Sequence, residues 1–291
     1  MAATRDSWKQ YVHQLPDPVA VALAEDIGTG DVTCATFVPA DQRSVAKIFC
    51  KHPAAILAGV EVGKRAFELV DDSLEVRIVR ESGSALSRGD TVLEISGSTR
   101  SILTGERTAL NFIQQLSGVA TLTRRFVDAV KPHNARILDT RKTTPGLRAL
   151  EKAAVVAGGG TNHRFGLYDM AMAKENHVAA TDLVRLAAGI REFRANHPGL
   201  RIEVEAQSLQ NVRDFLALDG IDVIMLDNMT LDEMREAVRL RADKPVAYEA
   251  SGGVSLDTVS AIAATGVDFI SVGALTHSAP AVDFSLDIRP C

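Results

Sequence analysis

The sequence predicts an α/β protein whose carboxyl-terminal part is a parallel sheet, surrounded by helices and closed as a barrel. Three observations support this fold class. Strand and helix patterns alternate from Pro132 to near the end of the chain. Strands such as residues 223–226 are apolar at every position, which is typical of a sheet buried on both faces. Polar residues follow at the strand ends, where barrels of this class build their active sites.

The first hundred residues indicate short strands and turns with few helices. A helix is predicted over residues 61–70, and a longer one from Ser101 through Phe126, where apolar residues recur three or four apart. This long helix is expected to join two domains, residues 1–115 and residues 116–291, with the last few residues packing back on the first domain. The predicted strands of the first domain are residues 45–51, 55–57, 74–79 and 91–95.

The predicted strands of the barrel each end at a residue suited to chemistry, and each is followed by a candidate helix. These strands are residues 136–138, 170–173, 201–204, 223–226, 246–249 and 269–272. A packed core alone would not require such a series of polar ends. In chain order the strand ends carry Arg141 with Lys142, then Lys174, Glu205, Asp227, Ser251 and Gly273.

Composition excludes several classes of protein. A net charge of -5 argues against nucleic acid as the main partner, because binding to phosphate backbones needs an extended basic face. The three cysteines are widely spaced and form no zinc pattern, so reduced thiols in a cytoplasmic protein are expected. The sequence contains no apolar stretch long enough to span a bilayer and no export signal, so no membrane partner is expected.

Positive charge is concentrated in one segment, between Asp139 and His177. The segment mixes its cations with glycines and apolar residues, whereas a solvated basic tail would be poor in apolar residues. The cations are therefore expected to point into a cleft and bind an anion. They are Arg141, Lys142, Arg148, Lys152, Arg164 and Lys174.

Four of the basic residues, Arg141, His163, Arg164 and Lys174, are predicted to clamp a polyanion, because arginine forks suit planar carboxylates. The alternative is that the two arginines pair structurally with nearby acids such as Asp139. Neighbouring Lys142 is expected to point elsewhere and to serve phosphates. The remaining cations, Arg148, Lys152 and Arg185, are interpreted as solvated helix positions or ion-pair partners.

Two glycine turns close the last two strands, Ser251-Gly252-Gly253 and the turn at Gly273. Small residues there let backbone N–H groups approach a phosphate, to which His277 is a further candidate donor. Ordinary βα turns are the alternative.

Two strand-end carboxylates, Glu205 and Asp227, are predicted to hold Mg²⁺, directly or through water, or to bind sugar hydroxyls. Helix capping is the alternative role. Glu203 lies on the same strand face as Glu205 but deeper, and is the weaker candidate.

The chain resembles the quinolinate phosphoribosyltransferases, also called nicotinate-nucleotide pyrophosphorylases (carboxylating), over nearly its whole length. The most specific shared blocks are Arg141-Lys142-Thr143-Thr144-Pro145-Gly146 and Asn162-His163-Arg164. Further matches run through Glu25-Asp26, Gly28-Thr29-Gly30-Asp31, Glu106-Arg107-Thr108-Ala109-Leu110-Asn111, Gly158-Gly159-Gly160, Lys174 with Asn176-His177, Glu203-Val204-Glu205, Leu226-Asp227-Asn228, Glu249-Ala250-Ser251-Gly252-Gly253 and Ser271-Val272-Gly273.

The resemblance implies an N-terminal α/β sandwich domain, an incomplete TIM-like α/β barrel and a homodimer in which Arg107 completes the partner's site. It implies phosphoribosyl transfer from phosphoribosyl pyrophosphate to quinolinate with decarboxylation, in de novo NAD biosynthesis, assisted by Mg²⁺. It places quinolinate on Arg107, Arg141, His163, Arg164 and Lys174. The catalytic residues that it implies are Lys142, Lys174, Glu205 and Asp227. It assigns binding of the phosphates to Lys142, Ser251, Gly252, Gly253, Gly273 and His277.

Three other functions stay open at this point. A related transferase could act on another anionic ring, as in the molybdenum-transport relative of this family. Lys174 could form a Schiff base in an aldolase or isomerase, since strand-end lysines in barrels can do so. The barrel could also bind a phosphate compound without catalysis.

Overall fold

The computed structural model describes residues 15–174, 177 and 182–291. These residues divide into two compact units. The N-terminal unit contains residues 15–124, Thr143–Gly159 and Ala274–Cys291, and the barrel unit contains Arg125–Lys142 and, within Gly160–Gly273, the described residues.

The secondary structure begins with two short helices and continues as strands and helices in alternation. The first part consists of α1 (Pro18–Ile27), α2 (Val32–Phe37), β1 (Arg43–Cys50), β2 (Ala54–Ile56), α3 (Val60–Val70), β3 (Glu75–Ile78), β4 (Ala85–Ser87), β5 (Thr91–Ser98) and α4 (Thr99–Val130). The second part consists of β6 (Arg136–Leu138), α5 (Arg148–Ala157), β7 (Met170–Ala173), α6 (Leu183–Asn196), β8 (Arg201–Ala206), α7 (Leu209–Leu216), β9 (Val223–Asp227), α8 (Leu231–Arg241), β10 (Ala247–Ser251), α9 (Val259–Ala263), β11 (Phe269–Ser271), α10 (Ala274–His277) and β12 (Phe284–Pro290).

The N-terminal unit is built on a four-stranded antiparallel sheet in the order β12-β1-β5-β3. The last strand of the chain thus pairs with the first, along a register that joins Ser44 to Pro290 and Cys50 to Phe284. Along β1 burial alternates, so Ile48 is buried on one face while Lys47 is exposed on the other. Such alternation is typical of an antiparallel sheet with one solvated face.

The long helix α4 confirms the apolar pattern predicted for it. Its residues Leu110, Ile113 and Leu116 are almost completely buried. The two compact units divide within this helix, between Arg124 and Arg125. The predicted domain boundary, between residues 115 and 116, stays a prediction.

The barrel unit contains a six-stranded parallel sheet in the order β6-β11-β10-β9-β8-β7. Parallel strands with helices between them confirm the predicted α/β class. The sheet has two edge strands, β6 and β7, in the part of the chain that the structure describes, so the barrel is incomplete. Its apolar positions, including Val204, Ile224 and Leu226, are fully buried.

Two helices near the start of the described chain, α1 and α2, are absent from the elements that the sequence patterns predict. The local signals for α1 are nevertheless clear. The Asp17 carboxylate accepts the backbone N–H of Val19 at 3.0 Å, Pro18 occupies the first turn, and Gly28 follows the helix at φ 51°. Across the described residues, the helices lack the combined length and apolar character that a bilayer span requires.

Candidate active site

The parallel sheet brings several predicted site residues to one face. In the register of β8, β9 and β10, Glu205 lies beside Met225, and Met225 lies beside Glu249. One row nearer the carboxyl ends, Asp227 lies beside Ser251. Residues paired in this way project from the same face of a sheet. The predicted polar ends of these strands therefore belong to one site.

His163 lies between two buried carboxylates. Its Nε2 is 3.1 Å from Oε2 of Glu203 and 3.3 Å from Oε2 of Glu249, and the side chain of His163 is 8% exposed. The three ligand atoms of this group lie within 4.8 Å of one another. Ser271 donates its hydroxyl to the other oxygen of Glu249 at 2.6 Å. The sheet therefore surrounds one imidazole edge with negative charge.

The two carboxylates decide the charge of His163. Burial alone would lower its pKa, but hydrogen bonds and charge attraction from Glu203 and Glu249 outweigh burial and raise the pKa to about 9. Burial, followed by the charge of Glu249, raises the pKa of Glu203. The backbone N–H of Arg164 lies 2.7 Å from Nδ1 of His163, a contact that favours an unprotonated Nδ1. The raised pKa favours the imidazolium at neutral pH, whereas the Arg164 contact favours a neutral ring that is protonated at Nε2 alone.

The loop that carries His163 is fixed by two aspartates. Asp139 is completely buried, and its Oδ1 accepts the backbone N–H of His163 at 2.9 Å. Asp169 accepts the backbone N–H groups of Phe165 and Gly166 at 2.6 and 2.9 Å. These carboxylates order backbone on both sides of the His163-Arg164 pair.

Arg141 and Arg164 lie close enough to affect each other electrostatically. Burial and then repulsion by Arg141 lower the pKa of Arg164. The guanidinium of Arg164 also donates to the carbonyl of Met170 at 3.2 Å, which directs the side chain. The charges of Glu203 and Asp169 act on this pKa in the opposite direction. The two guanidiniums give this part of the site positive charge that suits an anionic ligand.

Lys174 and Glu205 lie together at the rim of the sheet. The Nζ of Lys174 is 3.4 Å from Oε2 of Glu205, and the lysine side chain is half exposed while Glu205 is largely covered. His177 accepts the backbone N–H of Lys174 at Nδ1 (3.1 Å), and its own N–H donates to the Lys174 carbonyl at 2.8 Å. Asn176, which precedes His177 in the matched block, lies outside the described residues. Glu203 is fully buried below Glu205, as strand periodicity predicts.

Asp227 is oriented by the residue after it. Asn228 has left-handed backbone geometry, with φ 52°, and donates its side-chain N–H to Oδ2 of Asp227 at 2.9 Å. Its backbone N–H donates to the Ser251 carbonyl at 2.9 Å. A Cβ placed on Gly252 would lie 2.5 Å from the Asn228 Cγ, so the glycine provides the space that Asn228 occupies. The Asp227 end of β9 and the glycine turn after β10 are thus one interlocked structure.

The first predicted phosphate turn presents two exposed glycines, Gly252 at φ 98° and Gly253 at φ 60°. Their backbone N–H groups are the donors of this turn, because the next helix, α9, begins only at Val259. Gly273 lies two residues after the buried end of β11 and directly before α10.

Three predicted site residues are exposed, namely Lys142, Arg107 and His277. Lys142 is exposed, and its backbone N–H donates to the Thr140 hydroxyl at 3.0 Å. Arg107 and His277 belong to the N-terminal unit, where both are exposed. A ring nitrogen of His277 lies 2.7 Å from the Ser278 hydroxyl.

One cation was misinterpreted from the sequence. Lys152 was interpreted as a solvated helix position or an ion-pair partner; the solvated reading is wrong, because Lys152 is 1% exposed. It lies in α5 beside Glu151, which is also fully buried. Glu151 accepts the backbone N–H of Thr144 at 3.0 Å, and this contact holds the loop before α5.

Glu249 and Asp139 are functional residues that sequence reasoning did not assign. Glu249 precedes the assigned Ser251 by two residues, so strand periodicity could have identified it. The contact of Asp139 with the backbone of His163 joins residues 24 apart in sequence, and no local pattern indicates it.

Comparisons with known proteins show the family to which the chain belongs. Family models described as the N-terminal and C-terminal domains of quinolinate phosphoribosyl transferase match residues 31–117 and 119–287. A probable nicotinate-nucleotide pyrophosphorylase (carboxylating) of Bacillus subtilis is 43% identical over 91% of this chain and 90% of the relative. A chloroplastic relative of Arabidopsis thaliana with the corresponding name is 41% identical over 95% of this chain and 83% of its own length. The crystal structure of NadC from Streptococcus pyogenes is similar with a TM-score of 0.88 and 40% identity, over 96% of this chain and 98% of that one.

Proposed function

The chain belongs to the quinolinate phosphoribosyltransferase family, and from this premise we propose how its own residues perform the reaction. The enzyme transfers the phosphoribosyl group of phosphoribosyl pyrophosphate to quinolinate, with loss of CO₂. The products are nicotinate mononucleotide and pyrophosphate, in NAD biosynthesis. The observation that carries the residue assignments is the group of basic residues in the barrel unit, in which Arg164 lies near Arg141 and contacts His163.

Quinolinate binds through its two adjacent carboxylates. We assign them to His163, Arg141, Arg164 and Lys174 of the barrel unit. The support is chemical: the neighbouring guanidiniums of Arg141 and Arg164 form a positive surface that a dicarboxylate neutralises better than a monocarboxylate, and the His163 ring beside them is held through Nε2 by Glu203 and Glu249. Glu203 and Glu249 keep His163 protonated, and Asp139 fixes its backbone.

Phosphoribosyl pyrophosphate binds at the glycine turns. We assign its 5′-phosphate to Ser251, Gly252, Gly253 and Gly273, with His277 as a further donor. Its pyrophosphate is assigned to Lys142, and its ribose to Glu205 and Asp227. Support comes from the exposed turn backbone and from the location of both carboxylates at the ends of adjacent strands.

Glu205 and Asp227 also fit Mg²⁺, because carboxylate oxygens are the hard ligands that this ion prefers. Asn228 hydrogen-bonds one Asp227 oxygen, which orients the carboxylate. When bound, Mg²⁺ would neutralise charge on the pyrophosphate. Lys174 contributes a further positive charge next to Glu205.

The chemistry then follows from position and charge. The pyridine nitrogen attacks C1′ as pyrophosphate leaves, and no covalent enzyme intermediate is required. The ring nitrogen becomes positive, so the electron pair released when the adjacent carboxylate leaves as CO₂ is stabilised by the substrate itself. The protein's task is to hold both anions and to orient them.

We further propose that the enzyme acts as a homodimer in the cytoplasm and that Arg107 completes the partner subunit's quinolinate site. Arg107 is exposed on α4 in a single chain, as this role requires. Plant relatives are described as chloroplastic or mitochondrial, so cytoplasmic location is proposed for this chain alone.

Subunit mixing tests the shared site. Arg107→Ala and Arg164→Ala are each expected to lose about two decades of kcat/KM alone, because each removes a cation from every site. Mixed dimers would contain one site with both arginines intact, so refolding the two variants together should restore up to about a quarter of wild-type activity. Mixing that restores nothing, with mixed dimers demonstrated by tagged purification, would contradict contribution across the interface.

Calorimetric titration tests the clamp. Quinolinate should bind the protein at least about tenfold more tightly than nicotinate, because the second carboxylate adds charge-assisted hydrogen bonds. Equal affinities would contradict the assignment of two carboxylates to this cationic group.

A further inference from the structure

One face of the four-stranded sheet in the N-terminal unit is open, and a cavity of about 700 Å³ lies over it. Its central apolar residue, Val45, is 47% exposed. This surface has no assigned part in the reaction. We call it the outer sheet face, and it consists of Val45, Lys47, Glu75, Arg77, Glu94, Ser96, Asp287 and Arg289.

The strand registers arrange these side chains in two rows across the sheet. In the first row, Lys47 pairs with Asp287 on one side and with Glu94 on the other, and Glu94 pairs with Arg77. Its charges therefore alternate as negative, positive, negative, positive from β12 to β3. The second row runs Arg289, Val45, Ser96, Glu75, so it is positive at one end and negative at the other.

If each row is read in the opposite direction, from β3 to β12, every charge is replaced by a charge of the opposite sign. A twofold axis that lies in the plane of this face, parallel to the strands and between β1 and β5, reverses that order. It would place Lys47 opposite Glu94 of a second copy, and Asp287 opposite Arg77. It would also place Arg289 opposite Glu75, and Val45 next to the axis. All six charges then meet an opposite charge, which is the self-complementarity that an isologous interface requires.

We propose that the outer sheet face binds the same face of a second copy of this chain, with the strands of the two sheets nearly aligned. The observation behind the proposal is that the charges of both rows change sign when the order of the strands is reversed. It is independent of the reaction and of the dimer proposed through Arg107, because it uses neither the barrel unit nor α4.

Pairing within the sheet does not account for the second row. Arg77 forms an ion pair with Glu94, and Arg289 lies 3.3 Å from Asp287, so the first row is partly satisfied in one chain. Arg289 and Glu75, however, lie on the outermost strands, about 14 Å apart at the usual strand spacing. Within one chain Arg289 pairs with Asp287, and Glu75 accepts the Ser96 hydroxyl at 3.2 Å, but Arg289 and Glu75 attract each other closely only across a second sheet. Because the contact is rich in exposed charge, it should weaken as salt rises.

Exchanging the charges of Lys47 and Glu94 distinguishes ion pairs between two copies from ion pairs within one sheet. Lys47→Glu or Glu94→Lys alone sets like charges opposite each other twice, once on each side of the axis. The double variant K47E/E94K restores opposite charges across the axis. Within the sheet the double variant keeps opposite charges at positions 47 and 94, but it sets position 47 beside the like-charged Asp287 and position 94 beside the like-charged Arg77. It therefore has two like-charged neighbour pairs within the sheet, as each single variant has, and only the contact between copies distinguishes it from them.

Sedimentation velocity on the wild type, both single variants and the double variant tests the proposal at low salt and in 1 M KCl. At low salt, the wild type and the double variant should share a species of at least twice the mass of the single variants. The dissociation constant of each single variant should rise at least about tenfold. In 1 M KCl all four should reach the lower mass.

Thermal melting and kinetics make the outcome decisive. Each variant should keep wild-type kcat/KM, which shows that it is folded. The double variant should melt below the wild type, because two neighbouring pairs within its sheet become like-charged, as in each single variant. Four proteins of one mass at low salt, or a double variant with the lower mass of the single variants, would overturn the proposal.

Discussion

Replacing Glu249 by glutamine should change the charge of His163 with little change of shape. The substitution keeps an oxygen that can accept the Ser271 hydroxyl, while its amide N–H₂ faces Nε2 of His163. An amide donor at that position favours a neutral imidazole with Nε2 as acceptor. We therefore expect the pKa of His163 to fall below its wild-type value.

The size of the effect follows from the two carboxylates around the ring. The shift from 6.5 to about 9 corresponds to about 3 kcal/mol, at 1.36 kcal/mol for each pKa unit. Glu203 and Glu249 lie at similar distances, 3.1 and 3.3 Å, so removing one charge should cost on the order of 1 to 2 kcal/mol. If His163 binds a substrate carboxylate, quinolinate affinity at pH 7.5 should fall roughly tenfold.

The sign of the pH dependence can be checked in the wild type. Since the folded pKa of His163 lies above its ordinary value, the proton is retained through neutral pH and is lost as pH rises through about 9. The KM for quinolinate should accordingly be constant near pH 7.5 and rise above pH 9. In the Glu249→Gln variant the KM for quinolinate should already be raised at pH 7.5.

Nitrogen-15 NMR of labelled histidines is the direct assay, with a His163→Asn variant for assignment. Two protonated ring nitrogens are expected at pH 7.5 in the wild type. A pyridine-like Nδ1 signal at that pH would show that the Arg164 backbone N–H, 2.7 Å away, determines the tautomer, and would refute the reasoning.

Two further predictions concern the neighbouring groups. Gly252→Ala should displace the Asn228 side chain, raise the KM for phosphoribosyl pyrophosphate and lower kcat/KM at least about tenfold, as steady-state kinetics would show. Gly89→Ala is the matched control: Gly89 has φ 93° and its Cβ would meet nothing within 4 Å, so the substitution should cost only stability. Arg164→Ala should lower kcat/KM with quinolinate by about two decades, with a smaller loss for the more exposed Arg141→Ala; Arg164→Lys should fall between, and kinetics unchanged by either alanine would contradict the clamp.

The sequence predicts the strands well because burial shapes their composition. The predicted strands at residues 136–138 and 170–173 agree with β6 and β7, and residues 223–226 fall one residue short of β9. The short helix α1 was not predicted, although Asp17 and Pro18 form a clear start signal, because it buries only two residues and so carries little apolar pattern.

The site was predicted less completely than the fold. Strand ends identified Glu205, Asp227 and Ser251 because chemistry in parallel sheets collects there. The burial of Lys152 and the support of His163 by Asp139 depend on contacts between distant residues. Periodicity gives the face of a residue but not its partners, so these features needed the structure.

The measurement that tests the central claim most directly is to follow two products in one reaction. Purified protein would be mixed with phosphoribosyl pyrophosphate, Mg²⁺ and quinolinate labelled in the carboxylate next to the ring nitrogen. We predict that labelled CO₂ and nicotinate mononucleotide appear in equal amounts, and that both fall together in the Arg164→Ala variant. Quinolinate binding without either product, in protein confirmed as folded, would contradict the account.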